Sequence, residues 1–374
     1  MTKRNDPSSP FRRNLLVGAA SVGALAALGS VLPRAAKGAS GGTKALTIFT
    51  WETYHDDDWL AEWSKRTGVK VNAIRTGSVD EMYAKLRSGA VAADIIYLDV
   101  GSMPRLIDAN LIAPLDPAKV SGARNIAAAM NWQERCTQKG KLWGVPYNWG
   151  TQPLMYNTKV VSTRPQSWKV LWDTKYAGKV NLPDDAYITF PMIALAIGAK
   201  NPYRLTDAEF NQCVQALKDL RPQLRTIARG FDDATSLYAT GDADLGYCQN
   251  LTSVFQLQKQ GKPFDFAFPK EGTPTYIDCA IVTPKGANRK VVYDFINDNL
   301  SPQWQSRFIT RSSNNGVLDV KTALAAGVAK DAVNKTNIPN QEEPGFWQKM
   351  SILQNPESID RRLEIWNAFK AGTL

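Results

Sequence analysis

The chain has 374 residues, of which 44% are hydrophobic and 21% charged, a composition that fits a folded globular protein and excludes a disordered one. Its formal net charge is +10, yet residues 1–39 hold Lys3, Arg4, Arg12, Arg13, Arg34 and Lys37 against Asp6 alone, leaving 39 basic and 34 acidic residues in the remainder. That excess is too small and too dispersed to indicate a nucleic-acid partner.

In chain order, residues 1–39 read as an export signal. A basic stretch, "SPFRRNLL", leads into "VGAASVGALAALGSVL" and then into small residues, "AAKGAS". The pair Arg12-Arg13 ahead of Asn14-Leu15-Leu16 resembles a twin-arginine signal. The run from Leu15 to Leu32 is just long enough to span a bilayer, but Gly18, Gly23 and Gly29 argue against an anchor. Ala36 and Gly38 fit a small-x-small cleavage pattern, and no cysteine lies nearby to carry a lipid. The mature protein is therefore expected to be soluble and periplasmic.

From Ala45 the pattern alternates strand and helix. "ALTIFTW" predicts a strand, Asp56 or Asp57 caps a helix running through Arg66, and Gly68 ends it. "VKVNAI" predicts the next strand, and "SVDE" at 78–81 has capping-box spacing before a helix that stops near Gly89. "ADIIYLD" reads as a strand buried on both faces, so the fold class is α/β with a parallel-type sheet. Beyond "GVPYNWGTQPLMYN" the pattern predicts helices in "TDAEFNQCVQALKDL" and "DDATSLYATG" and strands in "ADLGYCQ" and "TYIDCAIVTP". "SIDRRLEIWNAFKAG" closes the chain with helical spacing. No repeat and no long linker is visible, so two α/β bodies would be joined by a chain that crosses between them more than once.

Catalytic signatures are scarce. His55 is the sole histidine, and G-x-S-x-G, the P-loop and G-x-G-x-x-G are all lacking. Cys136, Cys213, Cys248 and Cys279 are widely spaced without C-x-x-C, which speaks against zinc and for mostly buried small hydrophobes. His55 followed by Asp56, Asp57 and Asp58 could be read as a metal cluster. Acids in a first helical turn favour the helix dipole, however, and successive residues diverge by about 100°, so three in a row do not converge on one ion. No metal and no cofactor is expected. An exported hydrolase using two carboxylates stays open as an alternative.

The aromatic and acidic residues at element ends carry more information, because open α/β sheets bind ligands beyond the carboxyl ends of their strands. Trp51 and Tyr54 stand there, as do Asp99, Asp184-Asp185, Tyr276 and Asp278. Rings and carboxylates at one mouth suit an organic cation, through cation–π attraction and charge-assisted hydrogen bonds.

Seven segments in order, "FTWETY", "YAKLRSG", "ADIIYLDVGSMPRL", "GVPYNWG", "SWKVLWDTKYAGKVNLPDDA", "GDADLGY" and "FPKEGTPTYIDCAIV", resemble the spermidine/putrescine-type periplasmic substrate-binding proteins of ABC importers. The resemblance covers residues 45–318. It implies a two-lobed fold with crossing hinge strands that closes over its ligand, lobe 1 being 45–148 plus 271–318 and lobe 2 being 149–270 plus 319–374. It also implies a monomer that catalyses nothing and hands its ligand to a membrane ABC permease. Trp51 and Tyr54 fall on aromatics that wall the amine, Asp185 on a carboxylate of the second lobe, and Tyr276 with Asp278 on an aromatic and the central amine-binding aspartate. Two positions depart: Ile188 stands where the family has a second carboxylate, and Gln249 replaces a stacking aromatic. A ligand with fewer cationic centres than spermidine fits better, such as putrescine or an amino compound with a polar tail that Gln249 hydrogen-bonds.

Overall fold

The computed structural model describes residues 45–374, so the expected export signal lies outside the described residues. Among these, two mixed sheets organise the molecule. The first runs in the order Met350–Ile352, Thr273–Val282, Ile95–Asp99, Ala45–Trp51, Lys70–Thr76, and Val145–Thr151 also pairs with Thr273–Val282. The second runs Phe264–Ala267, Leu154–Asn157, Leu245–Tyr247, Val180–Pro183, Leu224–Ala228.

The parallel pattern expected from the sequence holds where helices return the chain, as between Ala45–Trp51 and its neighbours Lys70–Thr76 and Ile95–Asp99. It fails for the strands that cross between sheets. Val145–Thr151 leaves the first sheet and, after Gln152-Pro153, continues as Leu154–Asn157 in the second. Phe264–Ala267 returns from the second sheet to become Thr273–Val282 in the first. A strand that comes straight back must run antiparallel to the one it followed, and both crossings do so on each sheet.

Local chemistry explains the helices that frame the first sheet. Asp57–Thr67 has acids in its first turn, Lys65 and Arg66 in its last, and Gly68 at φ 71° as its left-handed stop. Asp56 precedes it but makes no capping bond; it pairs instead with Arg311 at 2.7 Å. The helix Val79–Arg87 is capped by Ser78, whose side chain accepts from the Glu81 N–H at 3.4 Å. Glu81 itself turns to Thr76 and Lys85, so the capping box forms only by half.

One apolar core extends through both sheets, from Phe49 and Ile96 to Leu182 and Phe190. The C-terminal segment visits both bodies and is not confined to the second, as the lobe boundaries had it. Met350–Ile352 pairs in parallel with Thr273–Thr275. The helix Ile359–Ala371 then packs on Ala186–Ile197 and Asp207–Leu220 beside the second sheet, where Trp366 donates to Asp184 at 2.9 Å.

Candidate functional site

A cavity of about 50 Å³ opens between the two sheets, and Trp51, Tyr54, Asp99, Asp185, Gln249, Tyr276 and Asp278 all line it. All seven candidates taken from the sequence thus face one space, although the shortest chain separation between the two main carboxylates, Asp185 and Asp278, is large. The ends of strands Ala45–Trp51, Ile95–Asp99 and Val180–Pro183 converge there, which is why strand-end residues fill the list.

Asp278 sits on the crossing strand Thr273–Val282, 4% exposed. Its pairing with Val145–Thr151 shifts register between Asp278 and Cys279: Asp278 faces Asn148 and Cys279 faces Pro146, so Tyr147 is the extra residue of a bulge. The bulge places Asn148 beside the site. Asn148 donates to the Tyr54 hydroxyl at 3.0 Å, and that hydroxyl donates to Asp278 Oδ2 at 2.5 Å. No bond within the protein occupies Asp278 Oδ1 among the described residues. The Trp51 indole N–H has no hydrogen-bond partner, but it lies close enough to the carboxylate to favour its ionised form. Burial, and then the charge of Asp99, outweigh these donors and push Asp278 up to about 8.

Asp185 caps the helix Ala186–Ile197, accepting from the N–H groups of Tyr187 at 2.9 Å and Ile188 at 3.4 Å. It too is pushed up to about 8, by burial and then by the charge of Asp80, while the N–H groups of Ile188, Tyr187 and Val79 oppose the shift. Val79 belongs to the helix beside the first sheet and lines the same cavity, so this carboxylate faces groups from both bodies. Its neighbour Asp184 points elsewhere, to Lys370 at 2.8 Å.

Asp99 differs from the other two. Ser102 N–H at 3.2 Å and the Tyr187 hydroxyl at 2.7 Å share Oδ1, and the Ser102 hydroxyl takes Oδ2 at 2.7 Å. Burial raises its pKa against those hydrogen bonds. Each Asp99 oxygen already accepts from the protein, so Asp99 positions Tyr187 and offers less acceptor capacity than Asp278, whose Oδ1 accepts from no protein group among the described residues.

The rest of the lining was harder to read from the sequence. Tyr276 packs over Gly150, where a side chain would collide with the Tyr276 hydroxyl. Phe231, at the start of the helix Phe231–Thr240, supplies an aromatic from the second body that the sequence reading did not identify. It follows the strand Leu224–Ala228, so the strand-end rule applied to that strand would have found it. Gln152 and Asn250 also line the cavity, and Gln249 Oε1 is buried without a partner. The lining contains no Lys, Arg or His. Buried carboxylates with rings and no counter-cation form a receptor for a small organic cation.

His55 is structural. Thr50 Oγ1 lies 2.9 Å from Nδ1 and Asn299 Oδ1 3.0 Å from Nε2, a pairing that requires the Nε2–H tautomer. Burial drives it down to about 3, so it stays neutral, stacked 5.0 Å from Tyr147. Asp57 and Asp58 turn outward to Arg75 and Arg311, and no group of residues able to hold a metal occurs among the described residues.

A family profile described as bacterial extracellular solute-binding protein matches residues 58–335. The spermidine/putrescine-binding periplasmic protein 1 of Haemophilus influenzae is 25% identical over 326 residues, 86% of this chain and 85% of that protein. The putrescine-binding periplasmic protein PotF of Escherichia coli is 22% identical over 356 residues, 88% of this chain and 92% of that one. Among solved structures, a spermidine/putrescine ABC transporter protein from Listeria monocytogenes superposes with a TM-score of 0.75 at 18% identity, covering 87% of this chain and 99% of that one. The fold is thus the two-lobed periplasmic-binding type.

Proposed function

Because the chain belongs to the bacterial extracellular solute-binding proteins, we propose that its cavity captures a small cationic amine of putrescine size for delivery to a membrane ABC permease. The observation that carries this reading is Asp278: a buried carboxylate with one free oxygen, flanked by Trp51, Tyr54 and Tyr276, in a cavity without any cation of its own. One ammonium group binds Asp278 Oδ1, and the rings of Trp51 and Tyr276 wall it. Asp185 and Phe231 face the ligand from the second body, Gln249 Oε1 accepts from a polar end, and Asp99 holds Tyr187 in place. The apolar Ile188 favours putrescine over spermidine, because it offers no carboxylate to a further cationic centre.

The lobes are 45–148 with 271–318, and 149–270, with 319–374 divided between them because Met350–Ile352 joins the first sheet and Ile359–Ala371 the helices of the second. The protein acts as a monomer outside the cytoplasm, exported by the twin-arginine route through Arg12-Arg13, and binds its ligand without turning it over. The hydrolase alternative finds no support among the relatives, whose names describe binding.

A thermal-shift titration tests the ligand. Stabilisation by a ligand that binds only the folded state is RT ln(1 + [L]/Kd), about 2.7 kcal/mol at a hundredfold excess. Putrescine should raise the Tm more than spermidine, and sugars or phosphate not at all. A response to sugars or phosphate with none to any amine overturns the reading.

A further inference from the structure

We infer that Cys136 and Cys279 are a disulfide-forming pair whose bond pins the bulge that presents Asp278. Cys136 ends the helix Trp132–Cys136, and Cys279 directly follows Asp278 on the strand Thr273–Val282. The two are 143 positions apart in sequence, both wholly buried, and their Sγ atoms lie 3.6 Å apart. The other cysteines have different surroundings: Cys248 donates to the Asn250 carbonyl at 3.1 Å, and Cys213 lies within the helix Asp207–Leu220.

The backbone around the pair is held on both sides. Trp143 N–H donates to the Cys136 carbonyl at 3.0 Å. At Gly144 an added methyl would stand 3.0 Å from Cys279 Cβ, so the chain between the two cysteines' elements already approaches Cys279 closely. A disulfide bond is about 2.05 Å long, so the sulfurs must close by about 1.5 Å to form one.

The chemistry is thiol–disulfide exchange with an external disulfide. One cysteine thiolate attacks that disulfide, forming a mixed disulfide and releasing one thiol. The second cysteine then displaces the other half, so the protein loses two protons and two electrons and the external disulfide becomes two thiols. Burial pushes the Cys279 thiol up once the protein has folded, which leaves little thiolate to react. Exchange is therefore fast while the chain is unfolded in oxidising surroundings, and in a chain folded before export it proceeds slowly, through local opening of the pair.

Once made, the bond closes a loop of 143 positions, which restricts the unfolded chain and should raise the Tm by on the order of 5–10 °C. It also ties the strand at the residue next to Asp278; this second consequence rests on Asp278 being the amine's acceptor.

The full chain is unfolded in denaturant and refolded either with oxidised and reduced glutathione or with excess dithiothreitol. Each product is then alkylated under denaturing, non-reducing conditions and digested. The expected result from the glutathione refolding is one peptide linking Cys136 to Cys279, with Cys213 and Cys248 alkylated, and a Tm on the order of 5–10 °C above that of the reduced protein. Four alkylated cysteines, or linkage through Cys213 or Cys248, overturn the inference. Cys136→Ser should abolish the Tm difference between the two refoldings, and a difference that survives also overturns it. Should that variant not fold, the peptide map of the unaltered chain decides alone. Putrescine titration of both forms reads the effect on Asp278 separately: a changed Kd supports it, and an equal Kd removes that effect while the linked peptide still reports the bond.

Discussion

Asp278 is shaped by two opposed demands. Its burial disfavours the ionised form, yet only that form attracts an ammonium strongly. Asp278→Asn should therefore separate binding from stability. Putrescine affinity should fall by about 2–5 kcal/mol, as when one partner of a buried charge pair is removed, while the ligand-free protein at pH 9 should keep or raise its Tm. Calorimetric titration together with a melt of the ligand-free variant checks both, and equal losses in the two would mark Asp278 as merely structural. Trp51→Ala should cost less affinity, about 1–2 kcal/mol for a lost ring wall. Asp57→Asn should leave affinity unchanged, since that side chain is 87% exposed against Arg75. At this scale the strand-end aromatics and acids were legible because strand termini mark cleft positions whatever the partner residue. Asp99 looked the same in sequence, and only the positions of Ser102 and Tyr187 reveal that its oxygens are engaged.

The crossing strands Val145–Thr151 and Thr273–Val282 carry the site because each contributes to it at its most irregular point. Their bulge could not be read from the sequence: register is a property of two paired strands, and neither segment signals the extra residue by itself. The close packing of Tyr276 on Gly150 is equally a matter of tertiary approach. It makes Gly150→Ala informative, since the methyl must displace the Tyr276 ring. Overpacking of this kind costs about 1–3 kcal/mol of stability, and the displaced ring should also weaken putrescine binding. A melt and a titration of this variant check the claim; unchanged values in both would mean that the ring has another place to go. Helix starts, by contrast, were legible locally, with the exception that Asp56 serves Arg311 and not the helix it precedes.

For the whole molecule, the strand and helix alternation and the seven-segment resemblance carried the fold class, but the C-terminal segment's visit to both sheets was invisible, since three residues at Met350–Ile352 are too few for a periodic signal. What the assembled body adds is two separate protonation sites in one cavity. Asp278 and Asp185 both stand at about 8, facing Asp99 and Asp80 respectively, against about 3.9 for an aspartate in an unfolded chain. Between these limits the ligand-free folded state holds more protons than the unfolded one, so the stability these groups contribute is complete below about pH 4 and lost as pH rises through about 8. An amine reverses the balance, because ammonium groups with a pKa near that of lysine, about 10, bind the ionised carboxylates and expel their protons. Putrescine should therefore bind more tightly as pH rises from 6 to 8, by up to about tenfold per unit for each carboxylate that must ionise, and level off above the carboxylate range. Calorimetry at pH 7 in two buffers of different ionisation enthalpy counts the protons released, with between one and two expected on that reasoning. A Kd independent of pH, with heats that do not depend on the buffer, would show that the amine meets carboxylates already ionised.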